Sequence, residues 1–227
     1  MMKGENFKDN VDMENYLFKR DLDLLINIYD GAEQLANSKA KETRQEMEKI
    51  NQKYFTEGKT SLTDEEQKVH EDFIHYAFHF NYLTLHSLFI SAYSFLEDHL
   101  LKVSKQLENY SFSRIKIKDM SKDKSDLDRL RKYLNLVDNL ETAKGDNINW
   151  QSILKFQKIR NLMVHNGNRF KEDSLKETLT AFLKQYGAHM PRDYSFHIKD
   201  KHFLTDFAKV SSTYSDELVN EIYKIDV

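Results

Sequence analysis

Cysteine is absent from all 227 residues. Disulfides, thiolate metal sites and cysteine nucleophiles are therefore excluded. Proline occurs once and glycine six times. Sheet-rich folds use both residues in their turns and long helices avoid them, so their scarcity leans the fold toward helix. No run of about 18 apolar residues exists, and no membrane-spanning helix is expected. Met1 to Asn10 are polar and lack the apolar core of a signal peptide, so the expected localisation is cytoplasmic. An excess of positive charge is missing too: 34 Lys and Arg stand against 37 Asp and Glu, for a net charge of -3. A protein that held nucleic acid through its overall field would be basic, so any such contact needs a local patch.

What is present is globular in composition, with 40% hydrophobic and 31% charged residues. Fifteen Phe and twelve Tyr supply bulky material for a core. Neither internal repeats nor a low-complexity linker divides the chain. Residues 1–227 are read as one domain, with a motif-bearing core at about 63–187.

Apolar residues Leu17, Leu22, Leu25, Ile26 and Tyr29 recur at helical spacing in a helix expected from about Val11 to Tyr54. Its second half, Lys39 to Lys53, is charged and reads as a solvated face. After a break at Gly58-Lys59, Thr63 and Glu66 form a capping box for a helix reaching about Leu107, apolar on most sides in its middle. Tyr110 to Ser125 reads as a loop carrying Arg114, Lys116, Lys118, Lys122 and Lys124. A short helix follows over Asp126 to Leu140, then a turn at Lys144-Gly145-Asp146-Asn147. Asn149 is expected to cap a helix from Trp150 to Asn166-Gly167. Ser174 and Glu177 suggest a second capping box for a helix ending at Gly187. Beyond Pro191, alternation of Tyr194, Phe196 and Ile198 allows one short β element, and a last helix covers about Phe203 to Tyr223.

On the helix from Trp150 to His165, a wheel of about 100° per residue places Trp150, Ile153, Leu154, Phe156, Met163 and Val164 on one broad face. Arg160 lands inside that arc. A guanidinium cannot shed its charge when buried, so the position demands a partner or a purpose. Asn161 and His165 are four apart and share a side, where the Asn amide could orient the imidazole. Arg160 and His165 lie about 140° apart around the axis, which permits a joint site without requiring one. On the preceding long helix, Glu97 falls between Tyr93 and Leu101 inside an apolar arc and also needs a partner. An Arg160–Glu97 structural ion pair is one reading; a pair bordering an active site is the other.

The stretch Ile159-Arg160-Asn161-Leu162-Met163-Val164-His165-Asn166-Gly167 resembles the signature of the HEPN superfamily (higher eukaryotes and prokaryotes nucleotide-binding). That signature is an Arg, often followed by a polar residue, with four to six residues before a His. Ser91-Ala92-Tyr93-Ser94-Phe95-Leu96-Glu97 is similar to the helix that packs against the motif in several such families. The likeness covers roughly Phe73 to Phe170.

The resemblance implies an all-α, HEPN-like helical bundle and a metal-independent endoribonuclease of the toxin or antiviral-effector type, acting as a homodimer with both motifs at a shared cleft. In that scheme His165 transfers protons, Arg160 stabilises phosphoryl charge, and Asn161 orients the imidazole or touches phosphate. Glu97 and Asn166 support them. Only RNA offers a 2′-hydroxyl as internal nucleophile. RNA and an antitoxin or regulatory protein are the implied partners, with no cofactor and no metal. HEPN toxins controlled by nucleotide addition often carry a Tyr two residues after the His; here that position is Gly167, so such control is not expected.

Other signals are weaker. His75 and His79 could share a metal with Glu71, but His70-Glu71 and His75 miss the zinc-protease spacing by one residue. Tyr110, Phe112, Arg114, Lys116 and Lys118 mix aromatic and basic residues as single-strand binders do, a pattern a solvated loop also produces. The competing functional reading is a non-catalytic HEPN module that binds nucleotide, RNA or a partner protein.

Overall fold

The computed structural model describes residues 2–58, 61–110, 115–120, 125–190 and 195–224. The architecture is all-α. In order come α1 (Met2–Glu57), α2 (Asp64–Ile74), α3 (Phe80–Tyr110), α4 (Asp126–Asp138), α5 (Ile148–Asn166), α6 (Asp173–Lys184) and α7 (His202–Ile222). A π-helical turn over His75–His79 joins α2 to α3, and single 3₁₀ turns lie at Ile117–Asp119 and Glu141–Ala143.

At 56 residues, α1 is about 84 Å long at 1.5 Å per residue. Gly31, midway along it, leaves it unbroken, and it has no proline. Phe7, Val11, Phe18, Leu22, Leu25, Tyr29 and Ala36 are buried at three- to seven-residue spacing along one side. That side lies antiparallel to α3, with Phe7 stacked on Tyr110 at 4.4 Å and Phe18 on His99 at 4.5 Å. It also lies antiparallel to α7. Lys8 Nζ donates to the Tyr223 carbonyl at 3.1 Å, Lys19 pairs with Asp216 at 2.7 Å and Lys201 with Asp30 at 3.1 Å. The helix therefore seats its apolar stripe between α3 and α7.

Where the three helices meet, one polar chain crosses the apolar core. Ser215 Oγ donates to Asn15 Oδ1 at 2.7 Å, so the 2.6 Å bond to His99 Nε2 has the imidazole as donor. The Asn15 amide donates in turn to Asp216 at 2.9 Å. Burial above all, with Lys102 adding to it, pushes His99 down to about 4. On the other side of α3, Phe89, Phe156, Phe203 and Phe207 form an aromatic cluster with ring separations from 4.5 to 6.0 Å. Each such ring contributes about 1.5–3 kcal/mol by leaving water, and together they fix α5 against α3 and α7.

Several local expectations change. The capping box at Thr63 forms in full, with Glu66 N–H donating to Thr63 and Thr63 N–H to the Glu66 carboxylate. The helix it opens is not uniform, because His75, Tyr76, Phe78 and Phe80 crowd one stretch. The π turn spreads these rings into edge-to-face contacts that an unbroken α-helix would place differently. Asn147, not Asn149, caps α5, its Oδ1 accepting from Asn149 N–H at 2.9 Å and Trp150 N–H at 3.0 Å. Asn149 spends its amide on Glu217 at 2.9 Å instead. The capping box expected at Ser174 does not form: α6 starts two residues earlier, with Glu172 at the N-cap position and no side-chain cap. Val164 is 43% exposed and does not belong to the buried face. Near the C-terminus, Ser195 and His197 make isolated antiparallel bridges to Arg169 and His189, and no longer strand forms among the described residues. Tyr194 lies outside them. No helix among the described residues is long and apolar enough to cross a membrane.

Candidate functional site

The motif lies on α5, whose buried side is Trp150, Ile153, Phe156, Ile159, Leu162 and Met163. Lys158, Asn161 and His165, three and four apart, occupy an exposed side. Arg160 is half-buried between the two. Its guanidinium sits over the Tyr93 ring, 5.6 Å from the centroid, and Nη1 donates to Asn161 Oδ1 at 3.3 Å. Its Nε is enclosed without a hydrogen-bond partner.

Glu97 is half-buried on the neighbouring face of α3. Burial raises its pKa, the Arg160 charge opposes that rise, and Asp126 reinforces it. The structure thus brings Arg160, Asn161, Tyr93 and Glu97 together. His165 stands apart from them, exposed in the last turn of α5. Asn161 is the link: it bonds Arg160 and lies one turn from His165 on the same side.

The end of α5 is fastened behind His165. Gly167 and Asn168 take consecutive left-handed conformations, with φ of 57° and 62°, and their N–H groups both reach the Leu162 carbonyl. Glycine and asparagine tolerate that region at little cost. The Asn166 carbonyl accepts from Arg169 N–H at 3.2 Å, and the Asn168 carbonyl from Phe196 N–H at 2.9 Å.

The Asn168 side chain meets the buried His86 of α3, its amide 3.3 Å from Nδ1. Ile198 N–H donates to His86 Nε2 at 3.3 Å, so two distant segments meet the two nitrogens of the ring. Burial first, and His197 second, push His86 down to about 4. Sequence reasoning misses this anchor. Its only trace there is an Asn directly after the helix-ending glycine.

A cavity of about 490 Å³ opens beside α3, lined by Lys105, Lys116, Lys118 and Arg129 with Leu101, Ile117 and Glu108. Four cations face one carboxylate, a local reversal of the chain's net negative charge. Glu108 is partly spent, since one carboxylate oxygen accepts from Ile117 N–H at 2.7 Å. Lys116 Nζ donates to the Glu108 carbonyl at 3.3 Å, and Arg129 pairs with Asp126 at 2.8 Å. Lys105 and Lys118 are exposed. Lys105 follows Glu97 by eight residues, about 12 Å along α3. Asp126, between Glu97 and Arg129, connects the cavity with the surroundings of Arg160. The basic loop pattern points to Lys116 and Lys118; Lys105 and Arg129 come from helices and escape it. Arg114, Phe112, Lys122 and Lys124 fall outside the described residues.

His75 and His79 are both exposed on the π turn. No three of His, Asp or Glu are grouped as a metal ion would need among the described residues. Comparison with protein-family models, with characterised proteins and with solved structures found no match.

Proposed function

We propose that the chain is a metal-independent endoribonuclease, carried by one observation: the Arg160 guanidinium reaches Asn161, which shares an exposed edge of α5 with His165. The resemblance to the HEPN signature assigns proton transfer to the same His and phosphoryl charge stabilisation to the same Arg. In the reaction, the 2′-hydroxyl oxygen bonds to phosphorus while the bond to the 5′ oxygen breaks. The imidazole of His165 takes the hydroxyl proton and the departing oxygen is protonated from solvent, giving a 2′,3′-cyclic phosphate and a 5′-hydroxyl. The cation Arg160 carries no proton in this step and offsets charge on the non-bridging oxygens. The cationic cavity beside α3 supplies phosphate contacts for the flanking strand.

A second reading is favoured by a different observation. Arg160 is occupied by Tyr93 and Asn161, and its Nε is enclosed, as in a side chain that holds α5 to α3. In that case the domain binds RNA or a nucleotide without cutting it. Purified protein incubated with RNA in EDTA separates the two. Cleavage that survives chelation, disappears in His165→Ala and spares 2′-deoxy substrates supports the nuclease. Cleavage that requires magnesium or persists without His165 overturns it, and retention of RNA with no cleavage favours the binding module.

A further inference from the structure

The outward side of α1 carries a stripe that the fold leaves uncovered. Met13, Tyr16, Leu24, Ile28 and Leu35 are between 46% and 63% exposed. Met13, Leu24 and Leu35 are eleven residues apart, three helical turns with little drift, so they align on a straight helix. Around Tyr16, Arg20, Leu24 and Asn27 the side chains enclose a shallow groove of about 470 Å³. Gly31 lies in the same stripe, and a methyl group added there would meet nothing within 4 Å. A glycine inside a helix costs about 1 kcal/mol relative to alanine, and here no neighbour within the chain requires it.

We infer that this face pairs with the same face of a second copy of the chain, the two α1 helices running antiparallel about a two-fold axis at Leu24. The pattern is self-complementary about that residue. Positions whose numbers add to 48 face each other, so Met13 of one copy meets Leu35 of the other, Arg20 lays its stem along Ile28, and Leu24 meets itself. Leu17 then falls opposite Gly31, with the Tyr16 ring beside it, and the missing side chain gives the room for both. A patch repeated symmetrically about its own centre is what an isologous interface needs.

From Met13 to Leu35 the stripe is about 33 Å long, and at a helix width of about 10 Å the pair covers on the order of 700 Å² in total. That is less than the roughly 1,000 Å² a stable interface clears, so the pair is a weak, transient dimer that forms only at high concentration. It also differs from the shared cleft that the HEPN resemblance implies. Among the described residues α5 packs on α3, α6 and α7, so pairing through α1 leaves each His165 edge to its own protomer. The inference holds whether or not the chain cuts RNA.

The absence of cysteine makes the test clean. Leu24→Cys introduces the only thiol, and a two-fold axis at that residue brings it against its own copy. Mild oxidation is expected to give a disulfide-linked dimer of Leu24→Cys and little of Ile148→Cys, whose site on α5 is 78% exposed but off the stripe. Sedimentation of the wild type is expected to show dimer appearing between about 1 and 100 µM, with Leu24→Glu monomeric throughout and equally helical. A wild type that stays monomeric at about 100 µM overturns the inference and leaves the stripe to another partner. A dimer unaffected by Leu24→Glu, or equal crosslinking of the two cysteine variants, overturns it as well.

Discussion

The guanidinium of Arg160 lies over the ring of Tyr93, 5.6 Å from its centroid, and passes its hydrogen bond to Asn161. A residue that the helical wheel sets inside an apolar arc is thus neither fully buried nor free. Its stem packs with the core and its head reaches the exposed edge of α5. This separates the fates of two substitutions. His165→Ala, at an exposed helix end, should change stability by no more than about 0.5 kcal/mol. Arg160→Ala should cost about 1–2 kcal/mol, because it removes both the cation over the ring and the hydrogen bond. Thermal melts of both variants check the ordering, and equal large losses would place His165 in the core. Removing Arg160 should also raise the Glu97 pKa further, since only its charge opposes burial and Asp126 there; carboxyl chemical shifts followed against pH would show it.

The cap of α5 gives a second expectation. Asn147 accepts from two backbone N–H groups and donates its amide to Glu217 at 3.2 Å. Asn147→Ala should cost about 1 kcal/mol or somewhat more, and Asn149→Ala less, because Asn149 holds only Glu217. Chemical denaturation of the two variants distinguishes the structure from the simpler expectation that Asn149 is the cap.

Acid should weaken the fold early. His86 and His99 are held neutral in the folded chain, both down to about 4 from an ordinary 6.5. Above pH 6.5 neither state binds the protons, and the stability is fully present. As pH falls from 6.5 toward 4, the unfolded chain takes up protons that the folded one refuses. Stability then drops by about 1.4 kcal/mol per pH unit for each histidine. Melting temperature should fall steeply between pH 6.5 and 4.5, and less so in His86→Gln or His99→Gln relative to each variant's own value at pH 7.5. A flat profile for the wild type would mean that the two imidazoles are not enclosed.

The cationic cavity predicts how RNA affinity responds to salt. Lys105→Ala and Lys118→Ala should weaken binding of single-stranded RNA and reduce the slope of log K against log salt by about 0.7 for each phosphate left without its cation. Neither should change stability by more than about 0.5 kcal/mol, as both are exposed. Binding isotherms at several salt concentrations give the slope, and an unchanged slope would remove the cavity from the RNA path.

The helical order is readable because the signals are local. Thr63 and Glu66 sit three apart, Gly167 ends α5, and the apolar spacing of α1 persists over many turns. What is not readable depends on contacts between distant segments. Nothing near His86 foretells that Asn168 and Ile198 will meet its two ring nitrogens from 82 and 112 residues away. The π turn at His75–His79 goes with edge-to-face contacts among rings close in sequence, a local change of helical register that a wheel of constant pitch cannot show. Arg160 and Glu97 stand out as charges in apolar arcs, yet the ring beneath the guanidinium belongs to Tyr93, which the same wheel counts as ordinary core. Lys105 and Arg129 look like surface charges until the fold places them beside Lys116 and Lys118.

The seating of α1 between α3 and α7 sets a timetable for synthesis. Phe7, Val11, Phe18, Leu22, Leu25 and Tyr29 are made before either helix that receives them, and half of their groove comes only with Phe203 to Ile222. At roughly 5–20 residues per second, the ribosome adds the intervening stretch in about ten to forty seconds. Through that interval α3 can shelter one flank of the helix, but the flank meant for α7 remains wet. An apolar flank left wet for that long favours aggregation, and slow translation of the stretch through α7 should raise that tendency.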